Sequence, residues 1–240
     1  LASMSKLFTG TAVMQLFEGG SIDLDEDVNN YLPWVVDVPG HVGDSITFRR
    51  LMTHTSSIED NGPVMDGYYD YPDPTISLAD CMERYFSTAG SDYSATGNFY
   101  PDAPGTRYEY SNMGTALDGY LVEVVTGLSF DDYCDANIFA PLCMERTGWH
   151  FSDFDSAEVA RPYQYTGGSY QAYTHYGFAD YPDGQLRSNV LDLANFMIAV
   201  LDGGSFAGGS FLSSASLTKM MTPQVPFLDP TQGLNWYLEE

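Results

Sequence analysis

The chain has 240 residues, 44% apolar and 15% aromatic, which fits a folded body with a sizeable core rather than a disordered tail. Nine Lys plus Arg stand against thirty-three Asp plus Glu, for a net charge of −24. That balance argues against nucleic acid, whose phosphates need clustered cations, and against an anionic membrane surface. No apolar run reaches the length of a membrane span.

Taken in chain order, residues 4–18 carry Leu7, Val13, Met14, Leu16 and Phe17 at a spacing that predicts a largely buried helix, ended by Gly19-Gly20. An acidic turn anchored by Ile22, Leu24, Val28, Tyr31 and Leu32 follows and closes at Pro33. "SITFRRLMTHTSS" predicts a short helix capped at Thr47, with a polar turn around His54. The stretch 59–105 is rich in Gly, Pro, Asp and Tyr and holds one short helix at "SLADCMERYF". It is expected to be a self-packed surface excursion; its other reading is a cleft wall carrying Tyr68, Tyr69, Tyr71, Tyr93, Phe99 and Tyr100.

"SNMGTALDGYLVEVVTG" predicts a strong helix ending at Gly127, and "SFDDYCDANIFAPL" another with Ser129 as N-cap. Aromatic, Gly-rich residues 150–187 predict loops and short strands. "RSNVLDLANFMIAVLDGG" is an amphipathic helix stopped by Gly203-Gly204, "SSASLTKMMTP" a shorter one, and the final "GLNWYLEE" predicts a strand. Cys81, Cys134 and Cys143 form no C-x-x-C pair, so no zinc knuckle or thioredoxin-like site is indicated. One disulfide with a free thiol, or three buried thiols, both stay open.

Only two of the cations are lysines, and Lys6 stands three residues after Ser3 in an apolar stretch. On a helix that spacing puts both side chains on one face. A serine hydroxyl is a poor nucleophile until a base takes its proton, and a lysine amine is that base only where its surroundings favour the neutral form. Ser216 and Lys219 show the same spacing, but there the lysine ends a short helix, where a cation suits the dipole. Tyr110-Ser111-Asn112 adds a phenol able to relay a proton and an amide able to bond both a lysine and a substrate.

Together these segments resemble the serine β-lactamase-like, penicillin-binding-protein-like family, in the branch of class C β-lactamases, D-alanyl-D-alanine carboxypeptidases and family VIII esterases. "ASMSKLFTGTAVMQLFEGGSIDLDEDVNNYLP" resembles its nucleophile helix, "ITFRRLMTHTSSI" its "LLTHTSGL" segment and "PGTRYEYSNMGTALDGYLVEVVTG" its Tyr-x-Asn helix. "NIFAPLCMERTGW" and "DGQLRSNVLDLANFMIAVLDGG" match further landmarks in order.

The resemblance implies an α/β fold of helices on an antiparallel sheet plus a helical subdomain. Residues 1–45 would carry the nucleophile helix and following loop, 46–185 the helical subdomain and cleft rim, and 186–240 the return helices and the start of a sheet strand. It implies Ser3 as acylated nucleophile, Lys6 as base partner, Tyr110 as proton shuttle, Asn112 as orienting and substrate-binding residue, and the Ser3 N–H as half of an oxyanion hole. His54 is assigned to loop structure. The substrate would be a small ester, amide or peptide, with no metal or cofactor implied and a periplasmic or secreted setting. The rival is a weakly active or non-catalytic scaffold of the same fold.

The family's third motif, Lys-Thr-Gly or His-x-Gly, belongs after "GLNW"; His175-Tyr176-Gly177 has the letters but lies upstream of the 188–202 helix. The chain is therefore expected to lack strands at both ends of its sheet, to need them from the rest of the chain or a partner chain, and to be unstable or inactive alone.

Overall fold

The structure is a computed structural model and describes residues 1–238. Helix α1 (Ser5–Glu18) is its centre: Phe8, Ala12, Val13 and Met14 on it have no exposure, and its polar Ser5, Thr9 and Thr11 are equally buried. Ahead of it, Ala2–Met4 forms a single 3₁₀ turn, so Ser3 lies just before the helix rather than within it.

Helix starts follow the local rules. Thr47 caps α2 (Phe48–Met52) by accepting from the Arg50 N–H, ahead of α3 (Gly62–Met65) and the short strand β1 (Tyr69–Asp70). Ser77 caps α4 (Leu78–Phe86), and Ser111 caps α5 (Asn112–Thr126), which stops at Gly127 in the left-handed region at φ 74°. Ser129 caps α6 (Phe130–Cys134), which widens into a π turn over Asp135–Phe139 instead of continuing as the expected α-helix. Strands β2 (Tyr163–Thr166) and β3 (Ser169–Ala172) make an exposed hairpin around Gly167-Gly168, followed by β4 (Gly177–Phe178). Helix α7 (Val190–Leu201), the β5 (Ser205–Phe206) and β6 (Gly209–Ser210) pair and α8 (Ser214–Met220) complete the order.

Three two-stranded antiparallel sheets are present among the described residues. The β1–β4 pair, with Tyr69 opposite Phe178 and Asp70 opposite Gly177, ties the 59–105 excursion to the chain that precedes α7. Within that excursion Tyr68, Tyr85, Phe86 and Phe99 are buried, so it packs into the core, while Asp60, Gly62, Met65, Asp66 and Tyr69 line the main cleft. Of the six aromatic residues expected to wall the cleft only Tyr69 does so; Tyr68 and Phe99 are buried in the core instead.

The expected strand at "GLNWYLEE" does not form over 233–238, and Glu239 and Glu240 lie outside the described residues. Leu234 N–H bonds Met220 O, Asn235 N–H bonds Met52 O and Asn235 has φ 49°, so these contacts fold the segment against α8 and α2. Cys81, Cys134 and Cys143 are all free thiols, but only Cys81 and Cys134 are buried; Cys143 is exposed, so the expectation of three buried thiols fails there. Lys219 lies over the Phe17 ring, half-buried rather than turned to water.

One turn positions the site. Residues Tyr181–Asp183 wedge between α1 and α5: Thr9 Oγ1 donates to Pro182 O at 2.7 Å, and Ser5 Oγ accepts from Leu186 N–H at 3.1 Å. On α5, a Cβ at Gly119 would stand 2.5 Å from Pro182 Cγ, so only glycine permits this approach. Helix α7 buries Phe196 and Ala199 but leaves Val190, Leu191, Met197, Ile198 and Leu201 exposed. Among the described residues no helix is long and apolar enough to cross a membrane.

Candidate active site

Lys6 is 4% exposed and donates from Nζ to Asn112 Oδ1 at 2.7 Å and to the Asp183 carbonyl at 2.6 Å. The same ammonium nitrogen stands 4.9 Å from the centre of the Tyr110 ring. The helix start at Ser111 and the wedge turn at Asp183 therefore meet at one amine. Tyr110, at 38% exposure, covers it from the outer side.

The orientation of Asn112 is fixed by a residue that the sequence did not single out. Asp60 accepts from Asn112 Nδ2 at 2.8 Å, from the backbone N–H groups of Asn112 and Met113 at 2.9 and 3.0 Å, and from Ser111 Oγ at 3.1 Å. A carboxylate at the first turn of a helix satisfies orphan N–H groups and suits the dipole. It also demands the amide NH₂, which leaves Oδ1 for Lys6. The reversed amide would set a carbonyl against a carboxylate and an NH₂ against a cation. Asp60 precedes Asn112 by 52 residues, so no local motif could have announced the pairing.

His54 is buried at 3% exposure, in the left-handed region at φ 56°. Burial first, and the Lys6 charge second, push its imidazole down to about 3. Its Nδ1 accepts from the Ser111 N–H at 3.3 Å, and its ring packs on Tyr110 at 4.5 Å between centroids. The neutral ring thus holds the Tyr110-Ser111 segment in place.

Ser3 is exposed and lines, with Asn112, Asp60, Asp180, Asp183 and Gly184, a cleft of about 850 Å³. Among the described residues its hydroxyl takes no hydrogen bond, from Lys6 or any other group. The structure thus bonds Lys6 to Asn112, lays Nζ over the face of the Tyr110 ring rather than at its hydroxyl, which takes no hydrogen bond among the described residues, and sets Ser3 at the cleft wall, just ahead of α1. Catalytic hydrogen bonds are often long without substrate and tighten in the complex. Ala2, immediately before Ser3, has φ 50°, a conformation non-glycine residues adopt at some cost. His175 also lines the cleft, its ring stacked on Phe151 at 4.3 Å.

The "Beta-lactamase" family model matches residues 1–240. The chain belongs to the β-lactamase family. This β-lactamase-family chain is 32% identical over 145 residues to penicillin-binding protein 4 of Amycolatopsis lactamdurans, covering 60% of this chain and 34% of that protein. It is 23% identical over 198 residues to protein flp of Staphylococcus aureus, covering 82% and 37%. The chain thus spans about a third of the length of these curated relatives.

Among solved structures, the D-stereospecific amidohydrolase of Streptomyces sp. aligns with a TM-score of 0.74 at 25% identity, covering 98% of this chain and 69% of that one. The D-amino acid amidase of Ochrobactrum anthropi SV3 aligns at 0.71 and 25%, covering 93% and 59%. A penicillin-binding protein of Bacillus halodurans aligns at 0.70 and 27%, covering 93% and 63%. The fold is the β-lactamase-like one, with helices and small antiparallel sheets.

Proposed function

We propose that this chain carries the nucleophile and base of a serine hydrolase acting outside the cytoplasm, which cleaves a small ester, amide or peptide through an acyl-enzyme on Ser3. The observation that carries the reading is the environment of Lys6. Asn112 Oδ1 and Asp183 O accept two hydrogen bonds from Nζ, which leaves a third position, a hydrogen in the ammonium and a lone pair in the deprotonated amine, to exchange the proton during the reaction.

In the first step Ser3 Oγ would form a bond to the substrate carbonyl carbon as its proton passes to Lys6, directly or through the Tyr110 phenol. The oxyanion formed would accept from the Ser3 backbone N–H. Collapse would break the bond to the leaving nitrogen or oxygen, which departs with the transferred proton. Water would then attack the acyl carbon, give its proton to the same base and free Ser3. The amidase and amidohydrolase neighbours support an amide or D-amino-acid substrate, and the penicillin-binding relatives support a β-lactam or cell-wall peptide. The free hydroxyl of Ser3 is the observation that favours the second reading, a scaffold without turnover.

A fluorophosphonate probe on the intact protein separates the two. Labelling at Ser3, lost in Ser3→Ala and reduced at least 100-fold in rate in Lys6→Met, is the expected result. A folded protein that takes no label would establish the scaffold.

A further inference from the structure

The cleft has a feature that the acylation steps do not use: Asp180 and Asp183 flank the wedge turn, both are buried, and both line the cleft that Ser3 opens on. We propose that this carboxyl pair docks an α-ammonium group, so that the preferred substrates are esters or amides of free amino acids; this rests on the serine-hydrolase reading above.

The neighbouring Asp60 shows what a satisfied carboxylate looks like here. It accepts four hydrogen bonds and has no capacity left for a ligand. Asp180, at 2% exposure, has an Oδ1 with no hydrogen-bond partner among the described residues. An unpaired buried polar atom has lost its water without gaining a partner, so a cationic donor arriving there recovers free energy. Burial drives the carboxyls of both Asp180 and Asp183 upward, and Lys6 opposes the rise. Asp180 reaches about 6, and a docked cation would favour the ionised form of both carboxyls.

Position gives the pair its substrate meaning. The carbonyl of Asp183 accepts from Lys6, so a group held by the carboxyl of that residue sits next to the reacting centre, where an α-substituent of the acyl group would lie. An ammonium offers three donors, enough for both carboxyls at once. Two carboxyls with no third metal-ligating side chain gathered to them among the described residues suit an organic cation better than a divalent metal, which needs more oxygen ligands. Arg187 also lines the cleft, but its guanidinium is already tied to the carbonyls of Trp149 and Tyr176.

The test compares kcat/KM of the intact protein on D- and L-alanine p-nitroanilide, propionyl p-nitroanilide and succinyl p-nitroanilide, which differ in one group at or near the α-carbon. An alanyl-over-propionyl ratio of about 100 is expected for one enantiomer, falling at least tenfold in Asp180→Asn. Protection of Ser3 from fluorophosphonate by alaninamide, and not by propionamide, gives the same information on the unmutated protein. A ratio near one, a preference for the succinyl compound, or an unchanged ratio in Asp180→Asn overturns the inference. If Ser3 is labelled while the ratio stays near one, the hydrolase reading stands without it. If Ser3 takes no label, that reading falls and carries the inference with it.

Discussion

Asp60 accepts a hydrogen bond from the Asn112 amide at 2.8 Å, and that contact decides which end of the amide faces Lys6. The same carboxylate closes the first turn of α5 through two backbone N–H groups. Helix capping and site geometry therefore share one side chain, although only the capping role of Ser111 is written locally in the sequence.

Replacing that carboxylate should damage both functions. In Asp60→Asn the new NH₂ faces backbone N–H donors, leaving at least one of them unpaired at about 1–3 kcal/mol. Urea unfolding should show a loss of about 2 kcal/mol, and the acylation rate should fall about 100-fold, or about 2.7 kcal/mol. Asn112→Ala should cost less in the Asp60→Asn background than in the wild type, because the two residues act as one unit. Additive costs in that cycle would show that Asp60 serves the helix alone.

Asp118 presents the opposite case, a carboxyl that works against the fold at neutral pH. It lies on α5 with no exposure, neither of its oxygens has a partner among the described residues, and burial drives its pKa well upward. A carboxyl raised on folding binds its proton more tightly in the folded state. Its stabilising share is complete below about pH 4, the unfolded value, and drains away as pH rises through the folded value. Glu123, pushed up to about 7, and Asp135, to about 6, act in the same direction. His54, held down at about 3, acts in the other: its share is lost as pH falls below the unfolded value of about 6.5. Asp118→Leu, similar in shape and uncharged, should raise stability at pH 7.5 by about 2 kcal/mol, or roughly 4–8 °C in Tm. It should also flatten part of the decline in stability as pH rises above about 4. A variant that melts at or below the wild-type temperature at pH 7.5 would refute this.

What the sequence made legible was local. Thr47 and Ser129 cap the helices expected of them, Ser77 and Ser111 cap two further expected helices, and Gly127 ends α5, because such signals act within three or four residues. Ser3, Lys6, Tyr110 and Asn112 were readable as spacings, and the approach of Lys6 to Asn112 and to the Tyr110 ring follows from α1 packing against the start of α5. What stayed hidden was carried by distance or by backbone. Asp60 acts across 52 residues, and the acceptor on Asp183 is a carbonyl that any residue could supply. The strand expected after Gly233 fails for the same reason: its fate is set by hydrogen bonds to Met220 and Met52, far away in the chain.

Gly119 offers a test in which local propensity and tertiary packing predict opposite signs. In the interior of a helix such as α5, alanine is favoured over glycine by about 1 kcal/mol. Here a Cβ would stand 2.5 Å from Pro182 Cγ and 2.6 Å from Pro182 Cβ, and a proline ring cannot rotate away. The turn must move instead, and Thr9 and Lys6 both bond to its carbonyls, at Pro182 and Asp183. Gly119→Ala should therefore destabilise the fold by about 1–3 kcal/mol, the usual range for overpacking. It should also slow acylation of Ser3 more than tenfold, since the displaced carbonyl loosens Lys6 some distance from the mutated atom. Lys6 should respond only through that turn, so the rate loss should largely vanish in a Lys6→Met background. A stabilised Gly119→Ala protein with wild-type acylation would mean that the wedge between α1 and α5 does not set the position of the amine.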